Sequence, residues 1–372
     1  MGLEGRDLGF NAAPDSGAGW MGGVGGFRVA GEAWGRPLVS LERPAPLLGA
    51  VFVGVVDRGT NVLQVRPTTL CPLSCVFCSV DAGPGSRWRA SEYQVGDPSW
   101  LAEWAGRVAE YKGGGVEALI DGVGDPFAYP RLVELVASLK GRPGIRWVAV
   151  ETHGWALTRG LVRRLEEAGL DRVNLSIDTL DPEKARRLTG TPWYDVRRVA
   201  EVAEFIARET SIDLHVTPVW LPGLNDRDVV EVVRWAYRIG AGKRWPPATI
   251  QKYLHHRHGR RPPGVREMPW RTFWARLRKI ERETGLRLTW TMEEWGMKPA
   301  PRIPTPLRRG QTVRLQVAAP GWLRGTLTTV TLDMERLVTL KLPRGAPRPS
   351  PGEVVKARIT SDKDGILLAE PL

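Results

Sequence analysis

Cys71, Cys75 and Cys78 are the only cysteines in the chain, and all lie in the run Cys71-Pro-Leu-Ser-Cys75-Val-Phe-Cys78. Three thiolates on one tight loop can hold three corners of a [4Fe–4S] cube and leave the fourth iron open to another ligand. A closed electron-transfer cluster or a structural zinc would ask for a fourth protein ligand, typically from a second Cys-x-x-Cys arm, and the chain has none. The competing reading, three buried structural thiols, is disfavoured by the spacing. A disulfide framework is excluded, which makes the cytoplasm the default compartment.

Such a loop needs a scaffold, and the alternation of segments predicts one. Strands are expected at 62–66, 117–121, 146–151, 172–177, 212–218 and 248–253, with amphipathic helices at 98–112, 130–140, 158–168, 193–208 and 226–239 between them. Strand–helix alternation at this spacing means βαβ units around a parallel sheet. Six units predict an α/β fold, a partial (β/α)6 barrel of the TIM type, with the cysteine run just after the first barrel strand. Residues 49–56 and 61–65 read as strands around an Asp57-Arg58-Gly59 turn. A helix at 268–284 carries Phe273, Trp274, Leu277 and Ile280 at helical spacing, which reads as a core face.

The flanks read differently. Residues 1–35 hold 11 of the 42 glycines, so residues 1–48 are expected to be a flexible extension, with Met21 an alternative start. The proline-rich stretch 299–308 reads as a stiff linker. Beyond it, strands are expected at 311–318, 323–332, 336–343, 353–360 and 365–369, a small β-barrel over 309–372. The main barrel then spans 49–298.

With these motifs in place, the chain resembles the radical S-adenosylmethionine superfamily. Its hallmark is Cys-x-x-x-Cys-x-x-Cys after the first barrel strand, with an aromatic before the last cysteine, a place that Phe77 fills. The resemblance implies a [4Fe–4S] cluster held by Cys71, Cys75 and Cys78. Its open iron would bind S-adenosylmethionine and cleave it to a 5′-deoxyadenosyl radical that abstracts a substrate hydrogen. It also implies an electron donor such as a ferredoxin or flavodoxin. Asp121-Gly122-Val-Gly124-Asp125-Pro126 resembles the family's glycine-rich segment, which meets the methionine amino group; Asp125 stands where Glu is more usual. Glu151-Thr152-His153-Gly154 resembles the loop after the third strand, where His153 either contacts cofactor or substrate or is a hydrogen-bonded loop residue. The segment 173–183 is similar to the fourth strand of molybdopterin-precursor cyclases. There Ser176 would contact the cofactor and Asp178 would shape its pocket, while Asp181 caps the next helix. Thr217-Pro-Val and Gln251-Lys252-Tyr253 match the fifth and sixth strands. Those cyclases use further C-terminal cysteines for a second cluster. This chain has none, which excludes a cysteine-held auxiliary cluster and a methyl-cysteine route.

Charge bears on the substrate. The net charge is +12 over 372 residues, which favours a polyanionic partner. Residues 243–282 carry 12 Lys/Arg against Glu267 and Glu281, and residues 301–372 carry 12 against 6 acids. The loop His255-His-Arg257-His-Gly-Arg260-Arg261 follows the sixth strand, at the barrel mouth, and Arg257, Arg260 and Arg261 are candidate phosphate contacts. Three histidines there could hold a metal; a basic substrate-facing loop is the preferred reading. The C-terminal barrel resembles the TRAM domain, an RNA-binding module. That resemblance implies phosphate contacts at Arg314, Arg324, Arg336, Lys341 and Lys356, with Trp322 either stacking on a base or lining the barrel. The expected partner is RNA, tRNA above all, giving a modified nucleoside. The alternative is a small metabolite, lipid or peptide, with the small barrel structural. No apolar run is long enough to span a membrane, and the N-terminus lacks a signal-peptide pattern.

Overall fold

The computed structural model describes residues 24–372 and the short strand β1 (Phe10–Asn11); Met21 lies outside the described residues. Residues expected to belong to a flexible extension instead form β2 (Phe27–Ala33) and β3 (Arg36–Leu41), an antiparallel hairpin. Its turn, Trp34-Gly35, has positive φ at both residues, the hairpin geometry that matches strand twist. Tryptophan is a poor signal for such a turn, and the glycine density around it masked the alternation of buried residues.

The central sheet starts with β4 (Gly54–Asp57) and β5 (Val62–Arg66), antiparallel around the expected turn. Strand β6 (Glu92–Val95) leaves to pair with β3. Then follow α1 (Pro98–Tyr111), β7 (Val116–Ile120), α2 (Leu132–Lys140), β8 (Ile145–Thr152), α3 (Arg159–Glu167) and β9 (Arg172–Leu175). After them come α4 (Pro182–Thr189), α5 (Val196–Glu209), β10 (Asp213–Val216), β11 (Val219–Trp220), α6 (Asp228–Ile239) and β12 (Gln251–Lys252). The sheet order is β10-β9-β8-β7-β5-β4, parallel except for β4. Helices start on side-chain caps: Asp97, Thr158, Asp181 and Asp195 each accept a backbone N–H of the first turn, satisfying donors that the helix leaves free.

The sixth strand is shorter than the expected 248–253. Ala248 bridges Val216, and β12 pairs with β11. Pro218 accepts from Gln251 N–H at 2.8 Å but has no N–H to return, so the ladder breaks there. The result is a partial barrel, open on one side, with the strand C-termini at one end.

Helix α7 (Trp270–Thr284) packs Phe273 and Leu277 inward. Trp274, expected in the core, is 41% exposed. Strands β13 (Thr312–Pro320), β14 (Thr326–Thr331), β15 (Leu337–Lys341), β16 (Val354–Ser361) and β17 (Leu368–Pro371) form a closed barrel in the order β13-β14-β15-β17-β16. Its interior holds Leu315, Val317, Leu327, Val338 and Ile359. One end merges with the main core through Ala318, Trp322, Val330 and Leu337. Residues 299–308 are pinned to the β4–β5 turn and to the end of α1: Ala300 N–H donates to Gly59 O, Ile303 N–H to Asp57, and Lys112 Nζ to Pro301 O.

Candidate active site

The C-terminal ends of the barrel strands surround a cavity of about 310 Å³. Cys71, Cys75, Phe77 and Cys78 line it, together with Gly122, Gly124, Asp125, Pro126, Glu151, His153, Ser176, Lys252 and Tyr253. The structure thus brings together on one cavity every residue expected for the cluster and cofactor except Asp178. Asp178 sits behind the wall, buried, where its carboxylate accepts the Val219 N–H at 2.8 Å and fixes the start of β11.

The cysteine loop is held from several sides. Ser74 N–H and Val76 N–H donate to Thr189 O and Leu188 O at the end of α4. Gly190, at φ +58°, passes so close that a Cβ would lie 2.3 Å from Ser74 O. Three guanidinium groups complete the brace. Arg36 on the N-terminal hairpin donates to Gly83 O at 2.9 Å and pairs with Glu92. Arg89, fully buried, donates to Val80 O at 3.2 Å, to Glu92 at 3.4 Å and to Val123 O. It thereby clips the end of the cysteine loop to the glycine-rich segment. Arg260 donates to Cys75 O at 3.0 Å and to Ala82 O, and pairs with Asp81 at 2.8 Å. Arg260 was expected to face a substrate phosphate; its guanidinium is instead spent on the cysteine loop. Arg36 and Arg89 were not singled out from sequence, because nothing local marks an arginine for burial.

The glycine-rich segment fits the same logic. A Cβ on Gly124 would lie 2.3 Å from Leu70 O and 2.4 Å from Thr69 O, so glycine here lets two backbones meet. Asp125 accepts from Phe127 N–H, Thr152 Oγ1 and His153 N–H at 2.9–3.0 Å, tying the loop after β7 to the loop after β8. Burial raises its pKa, and His153 opposes the shift. His153 lines the cavity, with Nε2 3.9 Å from Cys75 Sγ.

Charge in the cavity is unevenly answered. Burial raises the Cys71 and Cys75 thiols well above their ordinary values, Cys71 further by Asp125 and Cys75 by Cys71. A cationic cluster would relieve that repulsion. Among the described residues no three His, Cys, Asp or Glu side chains converge on a single metal ion; all three thiols line the one cavity, and thiolates are the donors that an iron–sulfur cluster takes. The donor set and the cavity therefore fit the cluster. Asp121 is paired with Arg66 through two contacts of 3.0 Å. Glu151 beside it has no hydrogen-bonding partner among the described residues. Burial, then the charge of Asp121, pushes its pKa up to about 7 against the pull of Arg66. Nothing local in the Glu151-Thr152-His153-Gly154 loop marks Glu151 for a role; only the cavity shows that it faces inward.

The sequence profile of the radical SAM superfamily matches residues 65–236. The uncharacterized protein MJ0103 of Methanocaldococcus jannaschii is 31% identical over 354 residues, 90% of this chain and 81% of that one. The chain belongs to the radical SAM superfamily. The GTP 3′,8-cyclase of Chlorobaculum tepidum is 31% identical over 180 residues, 48% of this chain and 51% of the cyclase, so this radical SAM protein spans about half the length of the cyclases it matches. A solved structure described as TYW1 with a lysine-pyruvate adduct bound superposes with TM-score 0.44 and 17% identity, covering 64% of this chain and 78% of that one. As a superfamily member the protein is an S-adenosylmethionine-dependent enzyme.

The candidate RNA contacts divide. Arg257 and Arg261 are exposed in the loop that follows the cavity-lining His256, and Arg324 is exposed on the small barrel. Arg314 and Lys356 are exposed and directly opposite each other on β13 and β16. By contrast Lys341 is paired with Glu370 at 3.1 Å, and Arg336 donates to Glu335 O and Pro304 O. Trp322 is buried against Phe52 (centroids 5.4 Å apart) and under Arg89 (4.9 Å), so it cannot stack on a base. Among the described residues no helix is long and apolar enough to cross a membrane.

Proposed function

We propose that this radical SAM enzyme modifies RNA, tRNA above all, with Cys71, Cys75 and Cys78 holding a [4Fe–4S] cluster in the barrel cavity. When bound, the cluster supplies the electron for reductive cleavage of S-adenosylmethionine, which yields the group that abstracts the substrate hydrogen. The chain's own residues position and shield that chemistry. Gly122, Gly124 and Pro126 shape the edge beside the cysteines, Phe77 covers it, and Ser176 presents a hydroxyl to the cofactor. The observation that carries the RNA reading is uncompensated positive charge. Arg257, next to the cavity-lining His256, and Arg261 in the same loop are exposed without an ion pair among the described residues. Arg314 and Lys356 face each other across a strand pair, a like-charge arrangement that costs stability unless an anion answers it. The small barrel is then a TRAM-like module.

A second reading has its own support. The small barrel shares its core with the main barrel through Trp322 and Leu337, which suits a structural role beside a small-molecule substrate. Anaerobic reconstitution should give about four irons per chain and reductive S-adenosylmethionine cleavage, both lost in Cys75→Ala. Retained cleavage in that variant would refute the cluster assignment. RNA affinity that falls steeply with salt supports the first reading; salt-independent turnover of a small molecule with no RNA binding would establish the second.

A further inference from the structure

The N-terminal half of α7 breaks the usual pattern of a surface helix. Trp270 is 53% exposed and Trp274 41%, and the two indoles lie roughly parallel, at 22°, with centroids 6.2 Å apart. Phe273 beneath them is buried and supports both rings, at 5.9 and 5.4 Å. The pair adjoins the cavity, because Lys252, a cavity-lining residue, places its ammonium 4.7 Å from the Trp270 ring. The surrounding charge is positive. Arg271, Arg278 and Arg282 are exposed without an ion pair among the described residues, whereas Glu267 is committed to Lys252 and Glu281 to the backbone of Leu288 and Thr289.

Two flat, preordered indoles flanked by unpaired guanidiniums match one class of ligand. Bases stack on aromatic faces, and the phosphates between them are met by arginine. A membrane surface would favour aliphatic and aromatic residues in a continuous apolar stripe; here the apolar stripe of α7 is turned into the core. We propose that α7 is a stacking shelf for a single-stranded segment of the RNA substrate, next to the nucleotide that enters the cavity. This inference rests on the RNA reading and gives that reading a location.

The test titrates the full-length protein with a labelled single-stranded RNA of about a dozen nucleotides, a length within the range such surfaces hold. Trp270→Ala and Trp274→Ala should each weaken binding about tenfold or more, and Trp270→Phe should restore most of it. RNA should quench the indole fluorescence, and inorganic polyphosphate should not. Arg271→Gln and Arg278→Gln should each lower the slope of log affinity against log salt by about 0.7. All four side chains are exposed, so unchanged thermal melting verifies the fold. If wild type binds RNA and the Trp variants bind it equally well, the shelf is wrong and the RNA reading stands. If wild type binds no RNA, the RNA reading falls and takes the shelf with it. If wild type is a dimer that Trp270→Ala dissociates while RNA binding is unaffected, the face is an interface between copies and the proposal is overturned.

Discussion

The two walls of the cavity are built on opposite principles. On the cysteine wall the polar groups around the thiols are answered from within the protein: Arg36, Arg89 and Arg260 donate to the carbonyls of Gly83, Val80, Val123 and Cys75. On the wall made by the strand ends, polar groups are left open. The side chains of Glu151 and Ser176 line the cavity without hydrogen-bond partners among the described residues, and the buried Tyr253 OH, also on the cavity, has none either. Buried polar groups without partners are costly and rare in native proteins. The contrast marks the strand-end wall as the one with hydrogen-bonding capacity to spare. One wall is preorganised to keep the thiols still; the other offers side-chain groups that the protein itself leaves unpaired.

Removing a brace should therefore cost far more than removing an open group. The largest effect is expected for Arg89→Met. Arg89 loses water entirely on folding, and burial lowers its pKa even beside Glu92. Its removal leaves two backbone carbonyls unanswered and leaves Glu92 Oε2 to the Thr69 hydroxyl alone, while Arg36 keeps Oε1. Truncating one member of a buried charged network costs about 3–5 kcal/mol. Denaturant unfolding of the variant should show a loss of that size, with lower iron retention after reconstitution. A change below about 1 kcal/mol would mean that the cysteine wall is not held as described.

Glu151 tests the other wall through pH. Its folded-state pKa, about 7, lies above the ordinary 4.5, so between those values the folded protein holds more protons than the unfolded chain. Stability from this group is complete below pH ~4.5 and is lost as pH rises through ~7, by at most about 3 kcal/mol. Asp125 and Asp178, also raised by burial, slope the same way from lower pH. Comparison with Glu151→Gln in cluster-free protein isolates the one carboxyl: the variant should lack the decline between pH 5 and 7. An identical slope in both proteins would show that Glu151 is already answered by a partner.

What was legible in the sequence follows the same division. The thiols, the Gly122–Pro126 segment and Ser176 could be placed because each belongs to a local pattern after a strand, and the strand–helix alternation sets where strands end. Most of the braces were illegible because they act across long stretches of chain: 34 residues from Arg89 to Val123, 47 from Arg36 to Gly83 and 185 from Arg260 to Cys75. Arg36 reaches Gly83 from the glycine-rich start, and Lys112 reaches Pro301; no window of sequence contains both partners. Arg260 was misread for a related reason: inside a basic run, one guanidinium that turns inward looks like its exposed neighbours. Trp322 was legible as either a platform or a core residue, and the docking of the small barrel against Phe52 decided it.

The smallest structural effect, and the sharpest test of the comparison, is expected for Ser176→Ala. The hydroxyl lines the cavity and has no partner to lose, while the neighbouring backbone stays fixed by Ser176 N–H donating to Thr152 O at 2.8 Å. Unfolding stability of the ligand-free protein should change by less than about 0.5 kcal/mol. If that hydroxyl serves the charged end of S-adenosylmethionine, its loss should weaken cofactor binding by about tenfold, the worth of one hydrogen bond to a charged group. Cofactor affinity of reconstituted protein, measured by calorimetry beside denaturant unfolding, separates the two quantities. A variant that loses stability but keeps affinity would place Ser176 with the braces and erase the distinction between the walls. A variant that keeps stability and loses affinity requires that the open wall be finished by its ligand, because nothing inside the protein was using the group removed.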